Sequence, residues 1–237
     1  MTRFLSRLKC RIIQRYHWFI DRLIDLYYGV ETCERVPVEQ LQPRHAKDRQ
    51  ALKKGLAKPY HPTRYLTLKN LLKSIPINPK NYTFIDLGCG KGRGLLLAQK
   101  KGYQKVVGIE ICQNLYHQAM HNFRRQPPNL SPKIYCRNVT DYPIPQGNKV
   151  IFLFNPFGPQ IIRQVVTSLL NSKEPDEDIW IAYVNPTYSK SWHQGCQLKK
   201  VIKNADPNYR VHIFQMKSPE DQQTLGLLTH EIHDQLT

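Results

Sequence analysis

The sequence lacks an uncharged run that could cross a membrane, lacks any paired cysteine motif, and is poor in acid. Its longest stretches free of Asp, Glu, Lys and Arg are Ile111–Phe123 and Val150–Ile162, thirteen residues each. A spanning helix wants about 18 or more apolar residues, so an integral membrane helix is excluded. The opening residues alternate Arg and Lys with apolar side chains and contain no continuous apolar segment, so a secretory signal is not expected. Cys10, Cys33, Cys89, Cys112, Cys136 and Cys196 are scattered, with no C-x-x-C pair. That argues against a zinc clamp and for reduced thiols in a cytoplasmic protein. His117 and His121 stand four apart, yet Gln118 occupies the place where a zinc protease needs Glu, so no metal site is expected. With 41% hydrophobic residues in 237 and no low-complexity tract, the chain can bury a real core as one domain with an extension.

Against 18 acidic side chains stand 35 basic ones, a net charge of +17. Residues 1–80 hold 17 of the basic and only 6 of the acidic groups. A basic segment on a milder body points to a polyanionic partner such as nucleic acid, an anionic lipid surface or an acidic protein, or simply aids solubility.

Residues 4–28 carry Leu5, Leu8, Ile12, Tyr16, Phe19, Leu23 and Leu26 at steps of three and four, the period of an amphipathic helix. Arg3, Arg7, Lys9, Arg11 and Arg15 crowd its first half. Such a helix either lies on an anionic membrane surface or packs its apolar stripe on the body. A short basic helix is expected near His45–Lys54. Another follows Thr63, a suitable N-cap, with Leu66, Leu68, Leu71 and Leu72 on its apolar face.

From Asn81 strands alternate with helices. Strands are expected at Tyr82–Leu87, Lys105–Glu110, Lys133–Cys136, Lys149–Asn155, Ile179–Val184 and Tyr209–Met216. Helices are expected at Lys91–Lys101, Gln113–Arg125 and Gln160–Leu170. This alternation predicts an α/β fold, a doubly wound, mostly parallel sheet with helices on both faces and an N-terminal helical extension. Ligands of such sheets sit outside the carboxyl ends of the strands. The texture change divides the chain into a basic extension, 1–79, and a ligand-binding domain, 80–237.

The sharpest motif is FIDLGCGKGRG, Phe84–Gly94: a strand, Asp86, the loop Gly88-Cys89-Gly90-Lys91-Gly92, then a helix. Glycines permit the tight turn, and the helix start offers unpaired amides. The dinucleotide fingerprint G-x-G-x-x-G/A fails, because the third position falls on Arg93 or Leu95. Glu110 ends the next strand, eighteen residues after Gly92. An acid there can accept hydrogen bonds from both hydroxyls of a ribose.

The D-x-G-x-G-x-G loop resembles motif I of the class I S-adenosylmethionine (SAM) methyltransferases, and VVGIEI resembles their motif II. The resemblance implies a seven-strand sheet and SAM as cofactor, leaving as S-adenosylhomocysteine. It gives the amino-acid half of SAM to Asp86, Gly88, Cys89, Gly90 and Gly92, the ribose to Glu110, and the adenine to Ile111, Asn138 and Val139, with Asp141 three residues on. The run Asn155-Pro156-Phe157 stands at motif IV beside the reacting methyl and looks like the box of the seven-strand histone-lysine methyltransferases, which makes these three the candidate catalytic residues. Asn155 would also border the cofactor. YHPTRYLTL and LYYGVET resemble segments of bacterial methyltransferases of unassigned substrate, implying cofactor contacts from Tyr60 and Thr63.

The resulting expectation is a cytoplasmic SAM-dependent methyltransferase acting on an amine, such as a lysine, of a protein or other macromolecule. One alternative is a methyltransferase of small or lipid-linked acceptors held peripherally at an anionic membrane by residues 1–28. The other is a basic nucleic-acid-binding protein on a SAM-binding fold.

Overall fold

The computed structural model describes residues 2–53, 58–128, 131–155, 157–193, 195–203 and 209–217. Three helices come first: α1 (Thr2–Tyr28), α2 (Ala46–Lys53) and α3 (Tyr65–Ser74). The alternating part follows as β1 (Thr83–Leu87), α4 (Arg93–Lys101), β2 (Lys105–Glu110), α5 (Gln113–Arg124), β3 (Lys133–Cys136), β4 (Lys149–Phe154), α6 (Pro159–Ser172), β5 (Ile179–Val184), β6 (Cys196–Ile202) and β7 (Val211–Met216).

The strands form one sheet in the order β3-β2-β1-β4-β5-β7-β6. The first five in that order run parallel, and β7 is antiparallel to both β5 and β6. Strands β1 and β5 are buried along their whole length, as central parallel strands covered on both faces must be. Side chains alternate between the two faces. Phe84, Val150, Phe152 and Trp180 join Leu68, Leu71 and Leu95 in one apolar layer. Ile85, Leu87, Ile151 and Leu153 join Ile162, Val165 and Leu169 in the other. The chain winds one way from β1 to β2 and β3 and the other way through β4 and β5. The crevice at their carboxyl ends is therefore a topological switch point.

Helix boundaries shift by a few residues from expectation, with α4 starting at Arg93 because Lys91 and Gly92 still belong to the loop. Strand β6 was not foreseen. Its sequence, CQLKKVI, lies on the sheet edge with adjacent lysines, so it carries little apolar alternation. Thr63 is not the cap of α3. Arg64 holds that position without a side-chain cap, and Asp21 Oδ1 of α1 accepts from the Tyr65 backbone N–H at 3.1 Å instead.

Of the two placements expected for α1, its described residues do not adopt packing of the stripe on the body. Its apolar stripe does not face the body: Ile12, Tyr16, Phe19, Leu23 and Leu26 are 46–77% exposed. The inward face carries Asp21 and Asp25, both buried. Their partner is Arg93, the first residue of α4, itself only 3% exposed. Its Nη1 donates to Asp21 Oδ2 at 3.2 Å and to the Thr63 carbonyl at 2.9 Å. Nε donates to Thr32 Oγ1 at 2.7 Å, Nη2 approaches Asp25 Oδ1 at 3.5 Å, and the guanidinium lies 4.3 Å from the Tyr65 ring centre. A buried cation must find anions, and only this rotation of α1 supplies two. Burial pushes the Asp21 pKa up even with the guanidinium beside it. Burial also opposes the charge on Arg93, but its tyrosine and carboxylate neighbours hold its pKa above the ordinary arginine value.

Removing one member of such a cluster strands the others. Arg93→Met should cost about 3–5 kcal/mol, while removing the charges together (Asp21→Leu, Asp25→Leu, Arg93→Met) should cost less than the single change. Chemical denaturation measures both, and an Arg93→Met protein as stable as the parent would show that the cluster does not hold α1.

Candidate functional site

Three strand ends open into one cavity of about 290 Å³. From β1 comes Asp86, from β2 Glu110, and from β4 Phe154 and Asn155. The loop after β1 is fixed by backbone hydrogen bonds, since the N–H groups of Gly88 and Cys89 both donate to the Ile109 carbonyl at 2.9 and 3.0 Å. Gly92 N then donates to the Cys89 carbonyl at 2.9 Å and closes the turn into α4.

The glycines have identifiable reasons. Gly90 has φ +54, and a Cβ on it would stand 2.2 Å from Cε2 of Tyr60. The Tyr60 ring therefore rests on the loop backbone, and its hydroxyl donates to the Thr32 carbonyl at 2.9 Å. The space that Gly90 leaves is filled by this ring from the N-terminal segment. Gly94 lies at the start of α4, where a Cβ would meet Asp86 Oδ2 at 2.4 Å. Its absence lets the buried Asp86 carboxylate abut the first turn of the helix, where partial positive charge accumulates. Burial, and secondly the Glu110 charge, raise the Asp86 pKa well above the ordinary value.

Glu110 is 5% exposed and fully engaged with backbone. Oε2 accepts from Gly90 N at 2.8 Å and Oε1 from Cys112 N at 2.9 Å. One carboxylate thus ties the glycine loop to the end of β2, and each oxygen keeps lone pairs for a further donor. Burial raises its pKa, and the backbone donors pull against that rise.

Beyond Glu110 the cavity wall is largely aliphatic, with Leu41, Ile111, Cys112, Leu115 and Val139, and its polar members are Asp48, Arg137 and Asn138. The N-terminal segment closes this end. Pro43 and Cys112 form an isolated antiparallel bridge outside the sheet, and Gln113 N donates to the Gln42 carbonyl at 2.8 Å. Asn138 lines the wall, but its Oδ1 accepts from Thr140 N at 3.1 Å and caps the turn after β3. Its Nδ2 donates to Asp48 Oδ1 at 3.0 Å. Asp141 is not part of the cavity; it is half exposed and paired with Lys47 at 3.1 Å.

At the other end, Asn155 has φ +37, in the left-handed region that a non-glycine residue adopts at a cost. Its Oδ1 accepts from the Tyr183 hydroxyl at 3.2 Å. Asn185, at the end of β5, has φ +51 and lines the same cavity. Both asparagines precede a proline. Phe157, Phe154 and Ile161 supply apolar wall, and His61 is the only imidazole lining the cavity among the described residues.

The sequence-predicted residues Tyr60, Thr63, Asp86, Gly88, Cys89, Glu110, Ile111, Asn138, Val139, Asn155 and Phe157 thus line one cavity. Gly90 and Gly92 belong to the same loop but are not among the residues that line the cavity; a Cβ on them would meet Tyr60 and Phe123. Pro156 lies outside the described residues. Sequence reasoning missed Arg93, Asp48, His61 and Asn185. Of these, only Asn185 had a local signal, the second Asn-Pro at a strand end.

The donor set suits a nucleoside carrying an amino-acid arm. A buried carboxylate with lone pairs to spare, an aliphatic stretch of wall and a helix start beside Asp86 share the one cavity. Comparison with known proteins bears on the same region. Residues 84–171 match the family described as a methyltransferase domain. The ribosomal protein L11 methyltransferase of Tolumonas auensis is 26% identical over 162 residues, covering 60% of this chain and 52% of that protein. The chain thus spans about half the length of this curated relative. Among solved structures, an RNA methyltransferase of Salinibacter ruber in complex with S-adenosyl-L-homocysteine superposes with TM-score 0.50 at 16% identity, covering 68% of this chain and 98% of that one. The Escherichia coli protein yhhF gives TM-score 0.54 at 14% identity, over 68% and 90% of the two chains. At these identities the likeness establishes the fold.

Because both Glu110 oxygens face N–H donors, Glu110→Gln must turn an amide NH2 toward one of them. It should weaken SAM binding about tenfold or more, nearly as much as Glu110→Ala. The raised Glu110 pKa gives the sign of the pH effect. As pH falls, protonation removes an acceptor and affinity declines, starting above the ordinary glutamate value of 4.5. Calorimetric titrations with SAM across pH check both points, and full affinity in Glu110→Gln would place the ribose elsewhere.

Proposed function

We propose that this chain, which carries a methyltransferase domain on the class I SAM-dependent fold, transfers the methyl group of SAM to an amine of a protein. The observation that carries the reading is the alignment of Asp86, Glu110 and Asn155 along one cavity at the switch point of the sheet. The similarity to a ribosomal protein L11 methyltransferase supports a protein acceptor.

When bound, SAM supplies a methyl group on a sulfonium that is already primed to leave. The protein contributes alignment and exclusion of water. Glu110 and the loop it ties would hold the ribose, with Asp86 and the start of α4 beside the amino-acid arm. Asn155 would meet the acceptor. Its strained backbone turns the side chain into the cavity, the Tyr183 hydroxyl fixes its rotamer, and the remaining lone pair on Oδ1 accepts an N–H of the incoming amine. Asn185 contributes a second polar wall, and Phe154 and Phe157 keep water from the reacting nitrogen. The proton lost by the amine passes to solvent or to His61, which lines the same end.

A second reading, compatible with the first, concerns location. The exposed stripe of α1 is bordered by exposed Arg15 and Arg22, with Arg22 5.2 Å from the Trp18 ring. The acids of α1, Asp21 and Asp25, are both buried on the opposite face. An apolar stripe with a cationic margin and no exposed acid fits an anionic bilayer surface. A second copy would bring the same excess of +17 against itself. We therefore infer peripheral attachment to anionic lipid.

Tritiated SAM incubated with protein, RNA and lipid fractions of a bacterial lysate should label protein, and acid hydrolysis should release an N-methylated amino acid. Label in RNA or lipid alone overturns the acceptor assignment. Asn155→Ala should lower single-turnover transfer about 10²–10³-fold while SAM affinity moves far less. Asn155→Gly relieves the backbone strain, so a merely turn-forming role predicts an active glycine variant. For the membrane reading, sedimentation with phosphatidylglycerol vesicles should pull down the protein, and phosphatidylcholine vesicles should not. Phe19→Glu with Leu23→Glu should abolish this and leave SAM binding intact. Vesicle binding unchanged by that pair, or its absence in the parent, refutes the reading, and concentration-dependent dimerisation would assign the stripe to a second copy.

A further inference from the structure

One carboxylate in the cavity comes from neither the glycine loop nor a strand end. Asp48, in the first turn of α2, is 2% exposed and lines the cavity. Its Oδ1 accepts from Asn138 Nδ2 at 3.0 Å. Its Oδ2 is buried and has no hydrogen-bond partner. A buried carboxylate oxygen without a donor is costly, and native structures tolerate one chiefly where a ligand or water supplies the donor.

The orientation of Asn138 sharpens the point. Oδ1 of Asn138 is committed to Thr140 N, so the amide presents its NH2, not its oxygen, towards Asp48. Asn138, expected from the sequence to contact the adenine, thus holds the neighbouring carboxylate instead of offering its own oxygen to the cavity. The cavity that Asp48 lines also has the aliphatic side chains of Leu41, Ile111, Leu115 and Val139 in its wall, with Arg137 and Asn138 among its polar members. A flat aromatic ring fits between such walls. A ring bearing an exocyclic amine at its edge also satisfies the unpartnered Oδ2 of Asp48.

We propose that Asp48 Oδ2 accepts a hydrogen bond from the exocyclic amine of the SAM adenine, so that helix α2 of the N-terminal extension supplies the residue that reads the base. Asn138 acts as a positioning residue that aims the carboxylate. This rests on the reading of the cavity as a SAM site, and the test separates the two. It also gives α2 a function: the N-terminal segment closes the cavity over the base and checks its identity at once.

The experiment compares S-adenosylhomocysteine with two analogues, one with the 6-amino group replaced by hydrogen and one carrying the 6-oxo base hypoxanthine. In the unaltered protein, S-adenosylhomocysteine should bind about 10–100-fold more tightly than either analogue, the scale of one charge-assisted hydrogen bond. Asp48→Asn presents an NH2 where the carboxylate oxygen stood. It should lose affinity for S-adenosylhomocysteine about tenfold and narrow or invert the ratio to the 6-oxo analogue, whose oxygen now has a donor. Asn138→Ala, which frees the carboxylate, should reduce discrimination in the same direction by less. Glu110→Ala should weaken all three ligands together and leave their ratios unchanged. Equal affinity of the unaltered protein for S-adenosylhomocysteine and its 6-deamino analogue would overturn the proposal without any variant having to fold. Undiminished discrimination in Asp48→Asn would overturn it as well. Failure of the unaltered protein to bind S-adenosylhomocysteine at all would instead strike the underlying SAM reading.

Discussion

A guanidinium shut away from water has to be answered by acceptors on every side, and Arg93 collects them from three separate pieces of chain. Asp21 and Asp25 come from α1, Thr32 from the turn after it, and the Thr63 carbonyl from the segment before α3. Asp25 in turn accepts from the backbone N–H groups of Thr32 and Cys33 and from the Tyr65 hydroxyl. Such a cluster adds less net stability than its geometry suggests, because each charge was dehydrated to form it. What it fixes is arrangement. With Arg93 as the first residue of α4, the acceptors it gathers determine how the whole N-terminal region meets the glycine loop.

The same economy recurs at the cavity. Each carboxylate there does a structural task and retains capacity for a ligand. Glu110 ties Gly90 to Cys112 and still offers lone pairs, while Asp86 lies on the start of α4 through the gap left by Gly94. At the reacting end, two asparagines in left-handed backbone conformations close β4 and β5 side by side. Strain of this kind persists only where surrounding contacts impose it, and here it brings two amides to one wall.

Much of this was legible in the sequence, and the boundary is instructive. The glycine loop, the acid ending β2 and the strand–helix alternation are encoded over short spans. Asn155 was legible for the same reason. The amphipathic period of α1 was equally plain, but its orientation was not. Which face turns inward depended on Arg93, more than sixty residues away from Asp25 in sequence. Asp48 gave no signal, because a lone acid in a basic helix reads as a solvated surface until Asn138 is placed beside it, ninety residues later. Strand β6 hid for the opposite reason: as an edge strand with lysines on it, it needs little apolar pattern to take its place.

The ring of Tyr60 lying on Gly90 has a consequence for what counts as a module. The matched family region begins at residue 84, yet the surface that supports its glycine loop comes from residue 60, and the acceptors for its first helical arginine come from residues 21–63. A graft or truncation cut at the family boundary would carry away a loop without its backing and an arginine without its counter-ions.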